Sequence, residues 1–294
     1  MRKKIKFYII GSDGLIGKEI CKNLEKKKIR YFHSDKKFDI TKKPFFNILS
    51  KKKPNILVNC SSHPGGLSFK EPILNTEVNY LANINIAKWC EENNCKFIFL
   101  SSSAVYGNRK KKIKIKEIDF TNPDTIYGVN KLATEKFLIK YSKYKKFNWL
   151  VIRLFATYGY GHRLNNFQGI VNVILNQVLK GKKTVTLKGS KKRTRSLIHV
   201  HDAAEIIVKL AISKHKNQII NIASKNFYSI NQIIKTIEKI VKKKIKIKEL
   251  RGTPGDPMHN IANISKILKY FDYKFRFNLL DGLVDTINKY RKIN

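Results

Sequence analysis

No stretch of this sequence approaches the ~18 consecutive apolar residues of a membrane-spanning helix, which argues against membrane insertion. The opening residues, Met1 to Ile10, are basic and then apolar, but the apolar run stops at Gly11, too short for a secretory core. We read it as a first buried strand and expect a cytoplasmic protein. The four cysteines, Cys21, Cys60, Cys90 and Cys95, include no CxxC pair. That spacing excludes a zinc ribbon, and a disulfide framework does not suit a chain of 294 residues, so no metal is expected. Internal repeats, zinc-finger spacing and RNA-binding signatures are all missing. Acidic residues are scarce, with 21 Asp and Glu against 61 Lys and Arg, for a net charge of +40. The excess is mostly lysine spread along the whole chain, beside abundant Ile, Asn, Phe and Tyr. AT-rich codons produce that pattern, so no specific nucleic-acid partner is inferred. Runs such as Lys26-Lys27-Lys28 and Lys242-Lys243-Lys244 read as solvated helix ends.

What is present is a globular composition, 42% hydrophobic, with β-rich runs alternating with helical ones. Strands are expected at 6–10, 30–33, 55–60, 96–101 and 148–154. Helices are expected at 15–27, 44–52 (with Thr41 as a cap), 75–92 and 125–144. The strand at 96–101 is almost continuously apolar, as a buried parallel strand should be. The alternation predicts an α/β fold, a Rossmann-type doubly wound parallel sheet. After about residue 165 the rhythm changes: helix 169–180, strands 184–188 and 196–200, a helix from about His201, then strand 217–222 returning to the main sheet. Ser229 is expected to cap a helix at 230–241, and a last helix begins near Leu279. The expected division is a cofactor-binding domain over 1–165, regained near 196–222, and a smaller substrate-binding lobe over 166–294.

Three motifs in order carry the chemistry. Gly11-Ser12-Asp13-Gly14-Leu15-Ile16-Gly17 follows the first strand and opens a helix, so glycine permits the tight turn and close approach while the helix N-terminus favours a pyrophosphate. Asp35 lies 24 residues after Gly11, just past the second strand, where an acid accepts adenosine ribose hydroxyls and favours NAD. Lys36 and Lys37 leave NADP as the alternative, and Asp39 and Ile40 are placed beside the adenine. Tyr127 and Lys131 are four apart and share a helix face. A free tyrosine titrates near ~10, and a neighbouring ammonium should draw it down toward neutrality, where it serves as general acid and base. The cluster Ser101-Ser102-Ser103 supplies a hydroxyl to orient the substrate oxygen. Together these point to hydride transfer between a nicotinamide cofactor and an alcohol or ketone.

At these residues the chain resembles the extended short-chain dehydrogenase/reductase superfamily, in its NAD-dependent nucleotide-sugar epimerase/dehydratase branch, with a likeness to UDP-glucose 4-epimerases. The resemblance runs through Ser101-Ser102-Ser103-Ala104-Val105-Tyr106-Gly107, Val78-Asn79-Tyr80, Arg153 to Gly161, Gly189 through Arg195 to Asp202, and Pro254-Gly255-Asp256. It implies that Ser102 carries the catalytic hydroxyl with Ser103 beside it, that Lys131 also binds the nicotinamide ribose, and that Asn79 supports the cofactor site. It implies Arg195 on the substrate diphosphate, with Asp256 on the substrate too. His199 and His201 read as structural. It also implies a homodimer paired through the helices at 75–92 and 125–144. Departures narrow the reaction. Ser103-Ala104 stands where 4,6-dehydratases carry an Asp-Glu pair, and Ala104 where the GDP-fucose epimerase-reductases carry a Cys. Ala156 and Ser196 replace an Asn and an Asp. The expectation is an NAD-dependent epimerase of a nucleotide sugar at C4. A keto-sugar reductase is the alternative, and a non-enzymatic cofactor sensor or scaffold the third reading.

Overall fold

The computed structural model describes residues 5–34, 38–161, 169–253 and 255–292. Its central feature follows from period-two side-chain alternation in apolar runs. In β1 (Lys6–Ile10), β3 (Ile56–Asn59), β4 (Lys96–Ser102) and β5 (Trp149–Leu154), Phe7, Ile9, Val58, Ile98, Leu100 and Ile152 point to one side. Tyr8, Ile10, Leu57, Phe97, Phe99 and Val151 point to the other. Strands apolar on both faces must be covered on both. On the first face lie α1 (Leu15–Lys26) and α7 (Val200–Ile212), which supply Ile20, Leu24, Ile207 and Leu210. On the second lie α2 (Lys43–Lys52), α4 (Ala82–Glu92) and α5 (Ile126–Tyr144), which supply Leu49, Ile86 and Leu138.

With β2 (Arg30–Ser34) and β9 (Gln218–Ile222), these strands form a six-stranded sheet among the described residues, ordered β2-β1-β3-β4-β5-β9. Every pairing is parallel. The order reverses between β1 and β3, so the carboxyl ends of the strands open a crevice there, the place where such sheets bind ligands.

Three local expectations are corrected. Thr41 does not cap α2: its backbone N–H and hydroxyl both donate to Asp39, at 2.9 and 2.7 Å, and the cap position falls to Lys42. A short Asp-to-Thr turn competes with the cap for the same oxygen. The single helix expected over 75–92 is instead α3 (Pro72–Thr76), a π-helical turn at Glu77–Leu81 and then α4. The strand expected at 196–200 is β8 (Thr194–His199), which lies outside the central sheet.

β8 organises the second layer. It pairs with β6 (Ala156–Tyr158), β10 (Phe227–Ser229) and β12 (His259–Asn260), while β7 (Thr184–Lys188) pairs with β11 (Lys246–Leu250). A separate apolar core fills this lobe, with Ile174 and Leu175 of α6 (Ile170–Leu179), Ile233 and Ile237 of α8 (Ile230–Val241), and Leu283 and Ile287 of α10 (Leu279–Arg291). Ser229 caps α8 in a reciprocal capping box with Gln232. Between β12 and α10 runs α9 (Ser265–Tyr270). No helix among the described residues is long and apolar enough to cross a membrane.

Candidate active site

A cavity of about 760 Å³ lies between the carboxyl ends of the central strands and the second lobe. The glycine turn lies at its edge, where Ile16 in the first turn of α1 enters the lining while Gly11, Gly14 and Gly17 do not. Gly11 has φ +73°, a left-handed conformation, and a Cβ there would stand 2.8 Å from the Ser61 nitrogen. A Cβ on Gly17 would stand 2.2 Å from the Gly11 carbonyl oxygen, so α1 seats directly on the turn. Gly14 is the α1 cap position, with no side-chain cap and no acid in the first turn. A Cβ on Gly14 would meet only the Gly11 oxygen, at 3.4 Å. An uncapped helix N-terminus open on its outer side fits a pyrophosphate, which its N–H groups and dipole would hold. Ile16 faces the cavity, whereas Leu15 is buried outside its lining. Asp39 is held below the usual carboxylate range by the two Thr41 hydrogen bonds, and Ile40 packs in the core with Tyr8 and Phe45. Both residues therefore make local contacts rather than line the cavity. Asp35, Lys36 and Lys37 lie outside the described residues.

The expected catalytic residues Tyr127, Lys131 and Ser102 come together where α5 meets β4. Thr125 caps α5 by accepting the Gly128 N–H at 3.0 Å, which fixes the first turn carrying Tyr127. Lys131, one turn on, is buried. Its Nζ donates to the Leu100 carbonyl at 3.0 Å and lies 4.8 Å from the Phe99 ring centroid. Burial pushes Lys131 down to about 7, with Cys60 and Glu135 opposing.

Tyr127 opens onto the cavity, which the hydroxyl-bearing Ser62 and Ser102 line with it. Burial raises its pKa above the ordinary tyrosine value, and the Ser102 and Ser62 hydroxyls only partly offset the rise. This corrects the expectation that Lys131 draws Tyr127 down. The ammonium stands 5.6 Å from the tyrosine ring centroid and is itself weakened by the burial that disfavours the phenolate.

The two candidate serines separate cleanly. Ser102 meets Tyr127, and its Oγ also accepts the Ala104 N–H at 3.1 Å. Ser103 accepts instead from Asn260 Nδ2 at 2.8 Å. Asn79 does not line the cavity. Its Oδ1 accepts from the Ser62 hydroxyl at 2.8 Å and its Nδ2 donates to the His63 carbonyl at 3.0 Å, so it reaches Tyr127 through Ser62. The sequence reading missed Ser62. The available signal was a serine pair, Ser61-Ser62, just past the third strand.

Beneath this centre is a buried ion pair. Glu135, one further turn along α5, receives two donors of Arg153, at 3.1 and 2.6 Å, and the Ser101 hydroxyl at 2.5 Å. Arg153 also donates to the Tyr106 hydroxyl at 2.9 Å. These bonds tie α5 to β4 and β5 and hold the stripe Tyr127, Lys131, Glu135 in place.

The far wall is basic. Arg195 is buried, donates to the Thr194 carbonyl at 2.8 Å, and pairs with Asp256. Arg193, also buried, pairs with the same carboxylate. Burial, and then Arg193, pushes Arg195 down to about 9, so it stays charged at neutral pH. Arg193 was not singled out from sequence; only its spacing of two from Arg195 hinted at it. His199 and His201 stay off the cavity lining and bind within the second lobe.

The same architecture is found in known proteins. A family model, the NAD dependent epimerase/dehydratase family, matches residues 7–223. The chain is 26% identical to a GDP-6-deoxy-D-talose 4-dehydrogenase of Aggregatibacter actinomycetemcomitans, over 98% of each. It is 25% identical to an uncharacterized UDP-glucose epimerase of Bacillus subtilis, over 96% of this chain and 97% of the relative. Among solved structures, the UDP-glucose 4-epimerase of Thermotoga maritima superposes with a TM-score of 0.91 at 20% identity, covering 98% of this chain and 99% of that one. The UDP-glucuronic acid 4-epimerase of Bacillus cereus, bound to UDP-glucuronic acid and NAD, gives 0.87 at 23% identity, covering 99% and 100%. With the matched segment spanning the glycine turn, the Tyr127/Lys131 helix and the whole central sheet, the chain belongs to the NAD-dependent epimerase/dehydratase family, and its cofactor is NAD.

Proposed function

We propose that this protein inverts C4 of a nucleotide-activated sugar, withdrawing hydride from C4 to give a 4-ketone and returning it to the opposite face. The observation that carries the reading is Tyr127 in one cleft with Ser102, Ser62 and Lys131, with Ile16 of the uncapped helix that follows the glycine turn on one side and buried guanidinium groups on the other. NAD, when bound, would supply the hydride acceptor and a positive charge. Tyr127 takes the proton of the 4-hydroxyl and later returns it. Ser102 holds the substrate oxygen. Lys131 has three donors and spends one on Leu100, leaving two for ribose hydroxyls of the cofactor. Arg195 receives the diphosphate, as a guanidinium fork suits phosphate oxygens.

No acid follows Ser102 to run an elimination, because Ser103 is tied to Asn260 and the next residue is Ala104. That argues against a dehydratase. A second reading, reduction of a 4-keto-sugar nucleotide by NADH or NADPH, uses the same residues. It is favoured by the relative that is a 4-dehydrogenase over its whole length. We also infer a cytoplasmic enzyme, since all four cysteines are free thiols, and a homodimer through the exposed apolar side chains Leu74, Leu81 and Val129.

The test is a panel of UDP-, GDP- and dTDP-hexoses followed by proton NMR of the sugar. The reading expects a C4-inverted product from at least one of them and none with Tyr127→Phe. Wild-type turnover in Tyr127→Phe would overturn it.

A further inference from the structure

We propose that Arg193 is a second substrate-binding cation, which with Arg195 forms a two-guanidinium clamp for a diphosphate that Asp256 occupies as an internal anion in the free protein. The inference rests on reading the cleft as a nucleotide-sugar site, and it concerns a residue that the family resemblance does not assign.

Four observations carry it. Arg193 and Arg195 are two apart at the start of β8, both line the cavity, and their side chains are only 5% and 8% exposed. One carboxylate serves both: Asp256 Oδ2 pairs with Arg193 and Oδ1 with Arg195, spanning the two groups as two oxygens of a phosphate would. Two buried cations thus share the Asp256 carboxylate inside the cavity, and Glu249, the other acid acting on Arg193, is not among the cavity-lining residues, so a diphosphate entering the cavity meets the guanidinium groups and not a second acid. Arg193 Nη2 is buried with no hydrogen-bond partner, a donor left over by the carboxylate. A buried donor left unpaired is costly, so a ligand with more acceptor oxygens than a carboxylate is favoured there.

The group is also held in position. Arg193 Nε donates to the Ser190 carbonyl at 2.8 Å. Its Cζ lies against Gly189, where a Cβ would come within 2.8 Å of it. Gly189 has φ +91°, so the turn leaves room for the guanidinium on a backbone that other residues rarely adopt. A fixed fork loses little entropy on binding.

Inorganic pyrophosphate is the probe, because it carries no base, no sugar and no redox chemistry. It would be titrated calorimetrically, with NAD saturating so that the pyrophosphate site at the glycine turn is filled, into the whole protein and into Arg193→Gln, Arg193→Lys and Asp256→Asn, each checked for an unchanged melting curve. The clamp predicts about tenfold weaker binding for Arg193→Gln, a partial recovery for Arg193→Lys, and several-fold tighter binding for Asp256→Asn. In turnover, Arg193→Gln should raise KM for the nucleotide sugar more than it lowers kcat. Wild-type pyrophosphate affinity in a folded Arg193→Gln, or weaker binding in a folded Asp256→Asn, would overturn the clamp. The redox reading fails separately, on Tyr127→Phe, since pyrophosphate binding needs neither Tyr127 nor the cofactor.

Discussion

Lys131 bonds the carbonyl of Leu100 and stands 5.6 Å from the ring centroid of Tyr127. The pair that looks like a proton switch in the sequence is, in the free protein, a buried amine anchored on β4 and a tyrosine that faces the cavity beside Ser62 and Ser102. Burial acts against charge on both. The free protein therefore holds Tyr127 as phenol at neutral pH, and the proposed mechanism assigns to the positive charge that NAD would bring the role of favouring the phenolate.

The first prediction concerns that titration. Without cofactor, tyrosinate absorbance attributable to Tyr127, taken as the difference between the protein and Tyr127→Phe, should not appear below pH ~10. With NAD bound it should appear at lower pH. An identical titration in both states would contradict the electrostatic role given to the cofactor. Loss of turnover in Tyr127→Phe should be on the order of 10²–10⁴-fold, as expected for a general acid–base group.

Lys131→Met should stabilise the free protein while removing activity. The folded pKa of Lys131, about 7, lies below its unfolded value near ~10.4, so the unfolded chain binds more protons between the two. Its contribution to stability therefore falls as pH drops from ~10 to ~7 and levels off below. The methionine variant should gain most at and below pH 7. The gain should be on the order of 2 kcal/mol once the lost Leu100 hydrogen bond is offset. Denaturant melts at pH 6 and pH 9 would show whether the gap closes at the higher pH.

Glu135→Ala should be costly, about 3–5 kcal/mol, because it strands Arg153 as an uncompensated charge under the active site. A double change replacing Glu135 and Arg153 with apolar residues should cost less than Glu135→Ala alone. Chemical denaturation of the three forms measures this directly.

Gly17→Ala should lose cofactor and stability together. Its Cβ would meet the Gly11 carbonyl oxygen at 2.2 Å, a backbone contact that cannot move aside, so the turn must open. Gly14→Ala meets nothing closer than 3.4 Å and should instead fold normally while binding NAD more weakly. Thermal melts paired with NAD titrations of the two variants separate packing from ligand approach.

The sequence made the central sheet, α5 and the glycine turn readable because each announces itself locally. The strands are continuous apolar runs, Thr125 and Ser229 sit at cap positions, and glycines bracket a strand-to-helix turn. The π turn at Glu77–Leu81 had no such mark; there Asn79 bonds Ser62 and His63 while Asn83 bonds Asn59, contacts made with a different segment. Strands of two and three residues, such as β6, β10 and β12, are too short to show a period. Ser62 and Arg193 were missed because their roles arise only where 62 meets 127 and 193 meets 256. The direction of the Tyr127 shift departs from the expectation for a related reason: spacing shows that Lys131 is near, but not that loss of water disfavours charge on both groups.

The most direct test of the central claim is mass spectrometry of cofactor released from the purified protein, run beside NADH and NADPH titrations. An enzyme that oxidises and re-reduces the same carbon keeps its cofactor, so the account predicts retained NAD(H) and no net consumption during turnover. A site that purifies empty, then binds NADPH and consumes it stoichiometrically with a keto-sugar nucleotide, would contradict epimerisation and establish a reductase.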